Sequence, residues 1–189
     1  MRRRALLAAS TGGGGTGGGG ADYTPIDFVT FDGSTIFDTS MFGNNTLTIE
    51  VKFRRTDTAS NVYLYGVSVS PRLSAYLGQS GYWRYGESVY PTFNTNNTTL
   101  TKATVTPGYI MVGSSYKGHT SSTFTTKSTI PLGGHISSSG VLTPQFIGEV
   151  YYFKISKPGT TLLDWTPAKN ADGVEGFWDS VTNTFIAPL

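Results

Sequence analysis

The sequence predicts an all-β sandwich domain carried on a basic, glycine-rich N-terminal tail, and three observations lead there. Polar and apolar residues alternate with a period of two over several stretches, as they do in half-buried strands. Turn residues, chiefly Gly, Pro, Asn and Asp, interrupt those stretches at short intervals. The composition is 38% hydrophobic and 13% aromatic but only 14% charged, with abundant Gly, Ser, Thr and Asn. That balance favours short strands and many turns over helices.

The 189 residues divide into a tail, residues 1–21, and one domain, residues 22–189, long enough to bury its own core. The opening Met1-Arg2-Arg3-Arg4-Ala5-Leu6-Leu7-Ala8-Ala9-Ser10 starts like a secretion signal. Its apolar stretch runs only from Ala5 to Ala9, short of the roughly 7–15 residues such a signal needs, so the segment is expected to stay uncleaved. Thr11–Gly20 holds eight of the chain's 24 glycines and repeats a five-residue unit twice. Two roles stay open for it. It is a flexible spacer, or its bare backbone threads a narrow channel or stacks on copies of itself. Arg2, Arg3, Arg4, Leu6 and Leu7 are the candidate assembly contacts of the tail.

Charge is placed unevenly. The net charge is +2, from 14 basic and 12 acidic residues, and three of the basic residues are Arg2, Arg3 and Arg4. The domain is left with 11 against 12, close to neutral, which argues against a nucleic-acid reader with its clustered basic face. There is no cysteine, so disulfides and thiolate metal sites are excluded. No run approaches the ~20 apolar residues of a membrane-spanning helix.

Within the domain the strands follow in order. Ile26–Phe31 is the first apolar run, closed by Asp32-Gly33. Thr46–Arg54 alternates without a break, setting Leu47, Ile49, Val51 and Phe53 on one face and Thr, Glu, Lys and Arg on the other. This pattern predicts a half-buried antiparallel strand. Weaker runs occupy Val62–Val69, Tyr82–Tyr85, Thr98–Thr104, Tyr109–Val112 and Thr161–Trp165. Turns are expected at Gly43-Asn44-Asn45, Asn94-Thr95-Asn96-Asn97, Pro107-Gly108, Gly133-Gly134, Pro158-Gly159 and Asp172-Gly173. Phe146–Ile155 carries bulky groups at both parities, which predicts a central strand covered on both sides, with Gly148 at a bulge or a close backbone approach. Some ten or more short strands at turn spacing indicate a sandwich or barrel.

The C-terminal third carries a family resemblance. Gly148-Glu149-Val150-Tyr151-Tyr152-Phe153-Lys154-Ile155, then Leu162-Leu163-Asp164-Trp165-Thr166-Pro167, then Gly173-Val174-Glu175-Gly176-Phe177-Trp178-Asp179-Ser180-Val181-Thr182 with Phe185 resemble the ending of concanavalin A-like, laminin-G-like jelly-roll domains found in phage and prophage virion proteins. Phe28–Thr39 is similar to the opening strand pair of such domains, and Gly81-Tyr82-Trp83-Arg84-Tyr85-Gly86 to their central strand. Residues 87–145 agree in rhythm only. The resemblance implies a two-sheet antiparallel jelly roll and a place in a virion, at the particle surface, in the head or in the tail, or else outside the cell. The expected partners are other virion proteins and further copies of the chain, met through the tail. Glycan recognition is a frequent activity of the fold, but fold does not fix function.

The residues do not supply a catalytic set. Glycosidases on this fold need two carboxylates flanking the sugar, whereas here only Asp172, Glu175 and Asp179 lie close in sequence. Asp164 is expected to accept a bond from a turn or an arginine. His119 and His135 sit beside glycines without a partner at metal or triad spacing, and read as exposed loop residues. The spacing of a calcium loop is missing; Asp32 and Asp38 are where a sheet-rim calcium would sit, and none is expected. No cofactor and no enzyme activity are predicted. Three Asn-x-Thr sequences, at Asn44, Asn96 and Asn97, follow from composition.

The aromatic residues remain. Trp83 and Tyr85 share one face of their strand and Tyr82 points to the other. Sugars stack their C–H faces on aromatic rings, which makes Trp83, Tyr85 and Tyr82 the candidate carbohydrate contacts, with core packing as the competing role. Trp165 and Trp178 are expected in the core.

Overall fold

A computed structural model describes residues 23–189 except 59, 60, 79, 80, 91, 92, 94, 96, 97 and 121, and the backbone alone of residues 88–90. The tail contacts Arg2, Arg3, Arg4, Leu6 and Leu7 lie outside the described residues, as do Asn96 and Asn97.

The described chain is strands and turns. In order they are β1 Tyr23–Pro25, β2 Val29–Asp32, β3 Phe37–Asn44, β4 Thr48–Arg55, β5 Val62–Val67, β6 Arg72–Leu77, β7 Tyr82–Gly86, β8 Ser88–Tyr90 and β9 Thr101–Val105. There follow β10 Tyr109–Val112, β11 Ser115–Gly118, β12 Thr125–Leu132, β13 Gly134–Ile136, β14 Leu142–Pro144, β15 Ile147–Lys157, β16 Thr160–Asn170, β17 Glu175–Asp179 and β18 Thr184–Ile186. No helix long and apolar enough to cross a membrane occurs among the described residues.

The strands form the two-sheet sandwich the sequence predicts. The larger sheet has ten strands, with the path β11-β10-β9-β4-β15-β16-β17-β18 and with β1 and β2 pairing β16 and β15. The smaller has eight, with the path β14-β13-β5-β6-β7-β8 and with β12 bridging β3 to β5. Pairing is antiparallel apart from one parallel contact, Ile136 with Val67. The chain winds between the sheets, from β2 to β3, back to β4, across to β5–β8, and so on to the C-terminal β15–β18.

One core lies between the sheets, and alternation decides who enters it. From β4 it takes Ile49, Val51 and Phe53, with Leu47 just before the strand; from β7 it takes Trp83 and Tyr85; from β6 it takes Leu73, Ala75 and Leu77. Phe37, Phe153, Trp165 and Phe177 pack ring against ring, with Trp165 and Phe177 stacked 5.5 Å apart. Burying rings of this size gives the sandwich its largest favourable term.

Strand β15 corrects the expectation of cover on both faces. Its register with β4 shifts between Val150 and Tyr152, so the bulge at Tyr151 reverses the parity midway. Val150 before it and Phe153 and Ile155 after it all enter the core, while Glu149, Tyr151 and Lys154 bond on the outer surface. One extra residue in a strand produces this phase reversal. Gly148 is the close approach foreseen: a Cβ there would stand 2.3 Å from Arg54 O.

Gly148→Ala is therefore expected to destabilise the fold by more than about 1 kcal/mol. Gly108→Ala, where an added Cβ meets nothing within 4 Å, should change stability by less than about 0.5 kcal/mol. Urea unfolding of both variants checks this, and equal midpoints would contradict the placement of Gly148.

Candidate functional site

The sequence candidates separate. Trp83 and Tyr85 are 0% and 1% exposed, so they are core residues and not carbohydrate contacts: a ring without accessible surface has no face to offer a sugar. The Tyr85 hydroxyl is spent inside the fold, donating to Leu47 O at 2.8 Å. Tyr82 alone remains half-exposed, on the outer surface of the smaller sheet. Trp165 is in the core as expected, but Trp178 is not. It lies on the outer side of β17 and stacks on Tyr23 with ring centres 4.2 Å apart.

Tyr82 belongs to a cross-strand row. Register sets Tyr63 of β5 opposite Tyr76 of β6, and Tyr76 opposite Tyr82 of β7. The ring centres are 4.7 Å apart at each step, and the hydroxyls of Tyr63 and Tyr82 meet at 3.5 Å. His135 of β13 stacks on the outer end, 4.3 Å from Tyr63. At the other end the Arg84 guanidinium lies 4.2 Å over the Tyr82 ring, a cation–π contact. Burial is the main reason the Tyr63 phenol is pushed well above its usual range, so it remains protonated and able to donate. The row joins residues from four strands, and Tyr76 lies on a strand, Arg72–Leu77, whose short alternation sets it on the side away from Leu73, Ala75 and Leu77. Tyr82 and Arg84, two apart on one strand, were the signal within reach.

The outer surface of the larger sheet is different in kind. Arg54 forks onto Glu149 with two bonds of 2.7 Å, and Tyr151 donates to the same carboxylate at 2.6 Å. The Arg54 bonds, ahead of the Tyr151 bond, hold the Glu149 carboxyl below its usual range. Lys102 pairs with Glu50, Lys154 with Asp164 and Lys169 with Glu175. Asp164 thus meets a lysine, where a turn or an arginine was expected. The Tyr152 phenol, raised by burial first and by Asp164 and Glu50 next, is pushed up to about 12.

The other carboxylates named in the sequence also have structural bonds. Asp32 Oδ1 accepts from the backbone and hydroxyls of Ser34 and Thr35, and these bonds pull its carboxyl far below the ordinary aspartate value. Asp38 accepts from Ser40 N. Buried Asp179 accepts from Asp164 N, Val181 N and the Thr182 hydroxyl. An open cleft of about 380 Å³ lies between β3 and the C-terminal strands, lined by Asp38, Ser40, Met41, Trp165 and Thr182 among others.

Neither histidine is an exposed loop residue. His135 is on a strand and half-buried against Tyr63, and His119 is half-buried with its ring 5.1 Å from Tyr85. The phenol rings that pack against them remove water from each imidazole.

Among solved structures the chain is similar to the mouse laminin alpha1 chain, domains LG4-5, with 16% identity and a TM-score of 0.49. The match covers 74% of this chain and 43% of that one, so the chain spans less than half the length of that structure. No family model and no curated protein matches.

Burial lowers both histidines below their usual 6.5. Above that value neither the folded nor the unfolded chain binds the proton. As the pH falls through it, the unfolded chain takes protons that the folded chain refuses, and stability drops until the lower folded values are reached. Denaturant midpoints should therefore fall from about pH 7.5 to about pH 5.5, and His119→Gln/His135→Gln should flatten that slope. An unchanged slope would contradict the buried placement.

Proposed function

We propose that the chain is a non-enzymatic structural or decoration protein of a virion, in which residues 1–21 dock into a larger assembly and the sandwich is displayed at the surface as a contact domain. The observation that carries this reading is the inequality of the two outer surfaces. On the larger sheet, four cations among the described residues are compensated in pairs such as Arg54–Glu149, and Lys52 lies over the single ring of Tyr151. On the smaller, a row of aromatic residues ends in a cation with no carboxylate partner among the described residues. A face that keeps Tyr76, Tyr82, Arg72 and Arg84 partly exposed and leaves its cations without an ion pair among the described residues is the one equipped to meet another molecule.

The absence of catalysis is part of the proposal. The carboxylates Asp32, Glu149, Asp164 and Asp179 hold turns and strands together, where a glycosidase needs two carboxylates free to act on a sugar. The C-terminal motifs resembling virion jelly rolls and the three arginines of the tail support attachment to a particle, with self-association through the tail. A lectin-like module for host or mucus glycans is the alternative. It would use the same row, since Tyr82 is the candidate contact that stays accessible.

Deleting residues 1–21 should abolish incorporation into particles in the producing cell and leave thermal unfolding of the sandwich unchanged. Arg2, Arg3 and Arg4 replaced together by Gln should weaken incorporation, because each exposed charge contributes on the order of 0.3–1 kcal/mol. Co-purification with particles is the measurement, and full incorporation of the truncated chain would refute the docking role.

A further inference from the structure

Among the described residues, two guanidinium groups on the outer surface of the smaller sheet, Arg72 and Arg84, form no ion pair with a carboxylate. Alternation sets Arg72, Ser74 and Tyr76 of β6 on the side opposite the core residues Leu73, Ala75 and Leu77, with Ser74 itself covered, and does the same for Tyr82 and Arg84 of β7. Arg72 stands opposite Gly86 and Arg84 opposite Ser74, so the two arginines are diagonal neighbours. Arg72 Nε donates to Ser68 O at 2.8 Å. Arg84 Nε is shielded from solvent and has no hydrogen-bond partner among the described residues. Glu87, just beyond β7, is engaged by the Ser70 hydroxyl.

Guanidinium donors beside phenol hydroxyls form a receptor for an oxyanion, since charge-assisted bonds to a carboxylate are the strongest that these groups make. The rings decide what kind of molecule brings it. Tyr63 lies between His135 and Tyr76, Tyr76 between Tyr63 and Tyr82, and Tyr82 between Tyr76 and Arg84. Stacking on a sugar needs an open ring face, and Tyr82 has one face stacked on Tyr76 and its ring under the Arg84 guanidinium, while Tyr63 is stacked on His135. What the row offers is its hydroxyls and its cations. The chain's own tail, with Arg2, Arg3 and Arg4, has the wrong charge to occupy it.

We propose that this face binds an acidic polypeptide segment, whose Asp or Glu carboxylates are taken by Arg84 and Arg72 together with the hydroxyl of Tyr82, which the buried Tyr63 hydroxyl holds in place. The proposal rests on the row being the contact surface of the sandwich, and it replaces a glycan by an acidic peptide as the occupant.

Calorimetric titration of the full chain with a hexaglutamate peptide, with polygalacturonate as the acidic saccharide and with hexalysine, tests it. Hexaglutamate should bind, more weakly as salt is added. Arg84→Gln should weaken binding by about tenfold or more, and Tyr82→Phe by a smaller factor. Lys102→Gln on the larger sheet should change nothing, and near-ultraviolet circular dichroism should show each variant folded. Hexaglutamate binding that ignores both Arg84→Gln and Arg72→Gln would overturn the site. Arg84-dependent binding of polygalacturonate without hexaglutamate would overturn the peptide and keep the row as a contact surface. Binding of neither acidic probe, or of hexalysine alone, would overturn the proposal, while the docking of the tail would be judged separately by particle incorporation.

Discussion

Alternation along strands that share a single core is the constraint on which the rest of this structure depends. Successive side chains of a strand point to opposite faces, so placing Trp83 and Tyr85 in the core obliges Tyr82 and Arg84 to face outward. The same rule on β6 turns Leu73, Ala75 and Leu77 inward and Arg72, Ser74 and Tyr76 outward. Cross-strand register then aligns Tyr63, Tyr76 and Tyr82 into one row. The surface proposed for binding is thus a consequence of how the core is filled. Where alternation has to fail, a bulge absorbs the change, as at Tyr151 on β15.

The two outer surfaces use charge in different ways. On the larger sheet, cross-strand partners such as Arg54 with Glu149 and Lys154 with Asp164 neutralise each other. Pairs as exposed as Lys102 with Glu50 contribute at most about 1 kcal/mol each, and Lys52 lies over the Tyr151 ring on the same surface. On the smaller sheet, aromatic packing holds Arg84 in place, and no carboxylate among the described residues meets its charge.

Much of the fold was legible in the sequence. Thr46–Arg54 alternates strictly because one face of β4 is buried and the other is wet, and turn pairs such as Pro158-Gly159 mark real reversals. Strand β12 was not legible, since the run Thr125–Thr129 interrupts the apolar rhythm and Pro131 is unusual within a strand, and the alternation of β6 from Arg72 to Leu77 is too short to stand out. For the site, the parity of Tyr82, Trp83 and Tyr85 could be read, but which parity faces the core could not. Ring content alone put Trp83, Tyr85 and Tyr82 forward together, and the core captures the first two. Tyr63 and Tyr76 meet Tyr82, and His135 meets Tyr63, through pairings between separate segments, which no local pattern encodes.

Hydroxyl-radical footprinting read by mass spectrometry, on the full chain with and without hexaglutamate, tests the central claim most directly. The account predicts that Tyr76 and Tyr82 are oxidised in the free protein and protected on binding, while Trp83 and Tyr85 stay unmodified in both. Oxidation of Trp83 in the folded chain, or protection confined to Tyr151 and its neighbours on the larger sheet, would contradict it.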